Sequence, residues 1–261
     1  MKSEHEHVYG IHPVLELLQA ERRRVETILL AAKRHHRGIQ QIVALASHRH
    51  IPVTSVDAAE LRRVLGHDQH QNVAALVAPL VYRPFADIAA LLQQHPGPHT
   101  LLALDGVTDV GNFATLIRSA VAFGVEAILL PKHHSVGLTP VVAKRSAGAA
   151  ERVVFVQVGN LVRALEALQH LGCWLYGAEA RGETAIAAVT WPERSVLVMG
   201  AEGRGMRRLV RERCDQVVRI PMREGNNSLN VAVAGSIILS HIWAHHESQS
   251  RQPFDGPQHR P

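Results

Sequence analysis

Apolar positions recur with two different periods along this chain, and they divide it into two blocks. In the first block, Val14–Leu18 forms a short apolar helix with Pro13 near its first turn. Val25–Ala31 is strand-like, and Gly38–Ser47 carries Ile39, Ile42, Val43 and Ala46 at helical spacing. Ile51–Val56 reads as a strand, Asp57 as the cap of a helix to about Leu65, and Val73–Val77 as a further strand. Strands and helices alternating within residues 1–79 predict a small α/β unit. Pro79, Pro84 and Pro96-Gly97-Pro98 then bracket one short helix, Phe85–Gln94, so residues 80–98 read as a linker.

The second block, 99–247, is regular. Strand-like runs are Leu101–Leu104, Glu126–Leu130, Val153–Val156, Trp174–Gly177, Val196–Met199 and Val217–Ile220. Helical patterns occupy Asn112–Phe123 and Leu161–Leu171, and a long apolar helix runs from Leu229 to about His245. Continuously apolar strands alternating with helices predict a parallel sheet covered on both faces. The stretch 248–261 is polar with three prolines and reads as a disordered tail.

Composition narrows the picture. Apolar residues make up 46% of the chain but aromatic ones only 4%, so the core is aliphatic and base reading mainly by ring stacking is disfavoured. Lys plus Arg exceed Asp plus Glu by 28 to 23, a net +5 that favours a polyanionic partner. Cys173 and Cys214 stand far apart, in no metal or disulfide spacing, and read as buried free thiols of a reducing compartment. The adjacent pairs His35-His36, His133-His134 and His245-His246 lack metal-ligand spacing, so no metal site is expected. Met1–His7 is too polar for a signal peptide. Asn230–Ala244, interrupted by Ser236, Ser240 and His241, is too short to span a bilayer, which needs about 20 residues. A cytoplasmic protein without membrane association is expected.

Three polar clusters interrupt the apolar pattern of the second block. Asp105–Asn112 follows a strand and opens a helix that carries Arg118-Ser119-Ala120 among apolar neighbours. Gly200-Ala201-Glu202-Gly203-Arg204-Gly205-Met206 also follows a strand, and its glycines let backbone approach a ligand closely. That glycine spacing differs from the dinucleotide and Walker fingerprints, which argues against a nicotinamide-dependent dehydrogenase. Asn226-Asn227-Ser228-Leu229-Asn230 opens the last helix; Ser228 could cap it, and Asn230 is an amide in an apolar turn that must find partners. Loops at strand C-termini are where α/β proteins bind ligands.

Together, Asp109-x-x-Asn112-x(5)-Arg118-Ser119-Ala120, Gly200-Ala201-Glu202-Gly203-x-Gly205-Met206 and Ser228-Leu229-Asn230-Val231-x-Val233-Ala234 resemble the three ordered motifs of the SpoU (TrmH) family of RNA ribose methyltransferases, in the SPOUT superfamily. Ile220-Pro221-Met222 stands where that family has it, just before the third motif. Val110 and Ala114 replace the family's usual Pro and Gly, and Asn72 stands where a Gly is common. Gly10-Ile11-His12-Pro13-Val14 and His70-Gln71-Asn72-Val73 resemble the small ribosomal-protein-L30e-like domain of members that modify a guanosine of large-subunit ribosomal RNA.

The resemblance implies an α/β trefoil-knot domain preceded by a small α/β RNA-binding domain, a homodimer completing its site near the subunit interface, and S-adenosylmethionine as cofactor. It places Gly200, Ile220, Met222, Leu229 and Asn230 at the cofactor, and Arg118, Asn112, Glu202, Ser228 and Asn230 at the reaction. Leu229–His245 is a candidate interface element. A guanidinium is too weak an acid to serve as a base near neutral pH, so Arg118 is expected to hold a phosphate or stabilise a developing alkoxide. Arg22-Arg23-Arg24, Lys33-Arg34, Arg37 and Arg62-Arg63 are candidates for the RNA backbone face. Transfer RNA as substrate, or a non-catalytic RNA-binding role on the same fold, are the alternatives.

Overall fold

The computed structural model describes residues 5–31, 36–223 and 228–250. Lys33-Arg34, His35, Asn226-Asn227 and residues 251–261 therefore lie outside the described residues.

The first block folds as β1 (Glu6–Tyr9), α1 (Ile11–Ala20), β2 (Val25–Leu30), α2 (Arg37–His48), β3 (Val53–Ser55), α3 (Ala58–Leu65) and β4 (Val73–Val77). Its sheet has the order β1-β4-β2-β3, antiparallel except for β2 against β3. Local chemistry fixes the helix ends. Asp57 caps α3 by accepting from Glu60 N–H at 2.6 Å, and Gly66 closes it with φ +76°. Strand β1 had no signal in the alternation, because only Val8 of its residues is buried. Val14, Leu17, Leu18, Ile39 and Ile42 pack onto Ile28, Val73, Ala75 and Val77 as a core of their own. Asn72 adopts φ +60°, the left-handed region that asparagine tolerates better than most residues in place of glycine.

The second block comprises α4 (Phe85–Gln94), β5 (His99–Asp105), α5 (Val110–Ala122), β6 (Val125–Pro131), α6 (Pro140–Arg145), β7 (Val154–Val158), α7 (Leu161–His170), β8 (Trp174–Ala178), β9 (Thr184–Ala185), β10 (Arg194–Gly200), α8 (Arg208–Arg211), β11 (Gln216–Arg219) and α9 (Val231–Ser250). The seven strands run in the order β7-β6-β5-β10-β8-β11-β9, every pairing parallel. All seven positions of β5 are buried, as a strand covered on both faces requires. Leu102, Leu104, Ile128 and Leu197 face α5 and α9, whereas Leu101, Ala103, Leu129 and Val196 face α4 and α7. Helices α5 and α9 approach closely: a Cβ on Gly235 would stand 2.5 Å from Leu116, and Ser119 Oγ lies 2.6 Å from Ser236 Oγ.

Residues 80–98 do not hang free between the blocks. Arg83 N–H donates to Phe155 O at 2.8 Å, Leu138 N–H donates to the Tyr82 hydroxyl at 3.0 Å, and α4 buries Ile88 and Leu92 against the second sheet. Helix α9 continues to Ser250, past the expected start of a tail at 248. It also begins at Val231 rather than Leu229.

Both cysteines are chemically quiet. Burial pushes the Cys173 thiol up to about 11, and burial followed by the charges of Asp215 and Glu179 pushes Cys214 up to about 12. At about pH 8 such thiols are thiolate at a level of roughly 10⁻³ or less. Ellman's reagent is expected to titrate neither thiol in the folded protein and both in guanidinium chloride. Rapid labelling of the native chain would mean that one of them is accessible.

Candidate active site

The three polar clusters converge at the C-terminal ends of β5, β10 and β11, beside the start of α9. Strand β10 sits between β5 and β8, with Gly200 in register with Asp105. Past Gly200 the chain makes a tight hairpin closed by Ala201 N–H to Gly205 O at 3.0 Å and Gly205 N–H to Ala201 O at 2.8 Å. Gly200 has no substitute: an added Cβ would stand 2.1 Å from the carbonyl carbon of Gly205. The hairpin's exit is held by buried Asp105, whose carboxylate accepts from Arg207 N–H at 2.7 Å and from the Arg207 guanidinium at 2.6 and 2.7 Å.

Its tip is held from the other side. Asn112 Nδ2 donates to Glu202 at 2.9 Å, and Asn230 Nδ2 donates to Asn112 Oδ1 at 2.8 Å. One hydrogen-bonded chain, Asn230–Asn112–Glu202, thus joins all three motifs. Asn112 is placed by Asp109, which caps α5 and accepts from Asn112 N–H at 2.7 Å. Val110, in place of proline, occupies the first helical position and packs on the core, and Ala114 is 2% exposed without distorting α5.

The cap of α9 corrects one expectation. Asn230, not Ser228, performs it: its Oδ1 accepts from Ala232 N–H at 2.9 Å and Val233 N–H at 3.3 Å. The same amide therefore serves the helix with its oxygen and Asn112 with its nitrogen. Asn230→Ala is expected to cost about 1 kcal/mol of stability and, since Asn112 is freed, a larger share of activity. Thermal unfolding together with turnover checks this; activity falling only in proportion to the folded fraction would count against it.

A cavity of about 550 Å³ opens beside this chain of amides, lined by Gly200, Glu202, Ile220, Met222, Ser228, Leu229 and Asn230 among others. Sequence reasoning missed its opposite wall, Ala178–Arg181 at the end of β8, and Arg204. The position of the loop after β8, at a strand C-terminus, was the available signal. The cavity suits a cofactor with an apolar ring system and polar groups. Met199, Ile220, Leu229 and Ile238 supply apolar wall, the hairpin brings bare backbone close, and Glu179, Glu202, Arg181 and Arg204 add charged groups of both signs to the lining. Among the described residues no cluster of three or more His, Cys, Asp or Glu could hold a metal, and no helix is long and apolar enough to cross a membrane.

Arg118 stands apart. Six residues beyond Asn112 it lies about 240° round the helix and about 9 Å along it. It is exposed, does not line this cavity but a second one with Glu16, Ser146 and Arg152, and among the described residues forms no hydrogen bond or ion pair. Of the basic candidates on the first block, Arg22 and Arg37 are exposed, Arg24 pairs with Glu26, Arg62 with Asp68 and Arg63 with Glu60. Arg23 is buried and cannot meet RNA.

Comparison with known proteins agrees with this geometry. The sequence profile of the SpoU rRNA methylase family matches residues 99–240, and that of the RNA 2′-O ribose methyltransferase substrate-binding family matches residues 7–83. The chain is 41% identical to the 23S rRNA (guanosine-2′-O-)-methyltransferase RlmB of Pseudomonas aeruginosa, over 92% of this chain and 96% of that protein. It is 40% identical to the RlmB protein of Pseudomonas syringae, over 91% and 94% respectively. Among solved structures, the SpoU methyltransferase AviRb of Streptomyces viridochromogenes, in complex with AdoMet, superposes with a TM-score of 0.77 at 20% identity, covering 94% of this chain and 92% of that one. An AdoMet-bound rRNA methyltransferase of Sinorhizobium meliloti gives 0.75 at 22% identity, covering 93% and 88%. The fold is that of the SpoU methyltransferases, as the three motifs implied, and the chain belongs to the SpoU rRNA methylase family.

Proposed function

We propose that this protein methylates the ribose 2′-hydroxyl of a guanosine in 23S ribosomal RNA, with S-adenosylmethionine as donor. The observation that carries the reading is the Asn230–Asn112–Glu202 chain at the lip of the cavity, in a sequence about 40% identical to enzymes of that name. Bound in the cavity, the cofactor supplies a methyl group on a positively charged sulfonium, which is already a good leaving group. The chain's own residues then have an alignment task, and positioning can supply roughly 7–11 kcal/mol.

Gly200, Ile220, Met222 and Leu229 hold the cofactor through backbone and apolar contact. Ser228, Asn230, Asn112 and Glu202 present hydrogen-bonding groups at the rim, where the ribose docks. Arg118 acts across a homodimer interface. It lies on an exposed strip of α5 with Thr115 and Ala122, beside α9, whose Val233 and Ile237 are 46% and 38% exposed. Exposed apolar side chains in such a row favour a protein partner. A two-fold pairing on this face brings Arg118 of each subunit toward the cavity of the other. There the guanidinium holds a phosphate of the target nucleotide or stabilises the developing alkoxide. A ribosomal RNA substrate supports a cytoplasmic location. Tritiated S-adenosylmethionine offered with unmodified 23S rRNA and with tRNA tests the substrate: label is expected in 23S rRNA, and label confined to tRNA would overturn the assignment.

A further inference from the structure

Arg23 stands in a row of three arginines that reads as an RNA-facing patch, yet its side chain is 4% exposed. It donates to Glu151 at 2.8 Å, to Glu6 at 2.9 Å and to Ala78 O at 2.8 Å. Glu6 and Ala78 belong to the first block, whereas Glu151 belongs to the second, in a short turn that follows α6. Glu151 is itself 1% exposed, and its other oxygen, Oε2, has no partner among the described residues. This is an ion triad across the junction of the two domains, with Arg23 and Glu151 buried and Glu6 23% exposed.

Other contacts converge on the same segment. Lys144 Nζ donates to Gln69 O and lies 4.4 Å above the Tyr9 ring. Arg152 pairs with Glu16 at 3.7 Å. A Cβ on Gly148, at φ +85°, would stand 2.6 Å from Glu16 and 2.9 Å from the backbone of Pro13. The two N-terminal motifs meet here as well: Ile11 N–H donates to Gln71 Oε1 at 2.9 Å, and a Cβ on Gly10 would stand 3.7 Å from Lys144 Nζ. Segment 140–152 also borders α5, and Arg145 lies 3.7 Å from the place a Gly111 Cβ would take, next to Asn112.

We propose that Arg23 and Glu151 are positioning residues that lock the N-terminal domain onto the methylase domain, so that RNA held by the first presents one ribose to the cavity of the second. The inference rests on the function proposed above. Burying an ion triad is a poor way to gain stability, since an apolar replacement of similar shape is often neutral; a fixed register is its best-attested use. The distance from the N-terminal domain to Asn112 then passes through one short, rigid segment, and a shift of about 1 Å at a reacting centre can cost about 10²-fold in rate.

The test compares the full-length chain with Arg23→Met/Glu151→Leu, which removes the ion pair without leaving Glu151 alone and charged, and with Lys144→Ala, at the partly exposed edge of the junction. Turnover at saturating 23S rRNA is expected to fall by about 10²-fold in the double variant, or the label to spread to neighbouring riboses, with affinities for S-adenosylmethionine and RNA unchanged. Lys144→Ala is expected to change in the same direction by less. Native-like turnover at a single nucleotide would overturn the proposal, and so would weakened RNA affinity with intact turnover, which would tie the junction to RNA binding rather than to positioning. If the unaltered chain labels no RNA, the functional reading fails on its own. Small-angle scattering then judges the lock: a larger radius of gyration in the double variant supports it, and an unchanged one overturns it.

Discussion

Arg118→Ala is expected to lower turnover by about 10²–10³-fold, the usual loss when one group that stabilises developing negative charge is removed, while affinity for S-adenosylmethionine stays unchanged. The separation follows from geometry, because Arg118 does not line the cavity and touches none of Glu202, Asn112 and Asn230 within its own chain. Arg118→Lys keeps the charge but loses the planar fork, and is expected to lose most of the activity as well. The proposed placement across a dimer makes a sharper expectation. Arg118→Ala mixed with Glu202→Gln forms some dimers in which one site has both native residues. Activity should return on mixing, although each variant alone is nearly inactive. Failure to complement in dimers shown to exchange subunits would place Arg118 and Glu202 of one chain in one site.

Gly200→Ala is expected to abolish cofactor binding. The added methyl would fall 2.1 Å from Gly205 C and 2.2 Å from Met206 N, both backbone atoms that cannot turn aside. Overpacking of this kind costs about 1–3 kcal/mol in a packed interior. Here the hairpin, pinned by Glu202–Asn112 at its tip and Asp105–Arg207 at its exit, must give way. Calorimetric titration with S-adenosylmethionine checks the loss, and the circular dichroism of the variant checks that the N-terminal domain survives. Binding at native affinity would mean the hairpin is softer than its contacts indicate.

Much of this architecture was readable in advance, and the reason is physical. Strands β5, β6 and β10 are buried on both faces, so their apolar runs are unbroken, and the capping carboxylate Asp57 marks a helix start that the structure reproduces. The short strands β1 and β9 escaped notice because too few of their residues are buried to leave a pattern. At the site, the family resemblance singled out Asn112, Glu202 and Asn230, which the structure joins, but not that one amide both caps α9 and braces Asn112. The resemblance also grouped Arg118 with residues it does not touch within this chain, since sequence proximity on a helix says little about which face a side chain occupies. Arg23 was misread for a related reason. A run of arginines looks solvated until the fold places two carboxylates, Glu6 and Glu151, around its middle member.

The most direct test of ribose methylation is the chemical identity of the product. Naive 23S rRNA is incubated with the protein and S-adenosylmethionine, digested to nucleosides and resolved by mass spectrometry. The expected product is 2′-O-methylguanosine at a single position, resistant to alkaline cleavage on its 3′ side. A methyl group on the base, or alkali-sensitive RNA at the labelled position, would contradict the assignment of the cavity and its amide chain to a ribose hydroxyl.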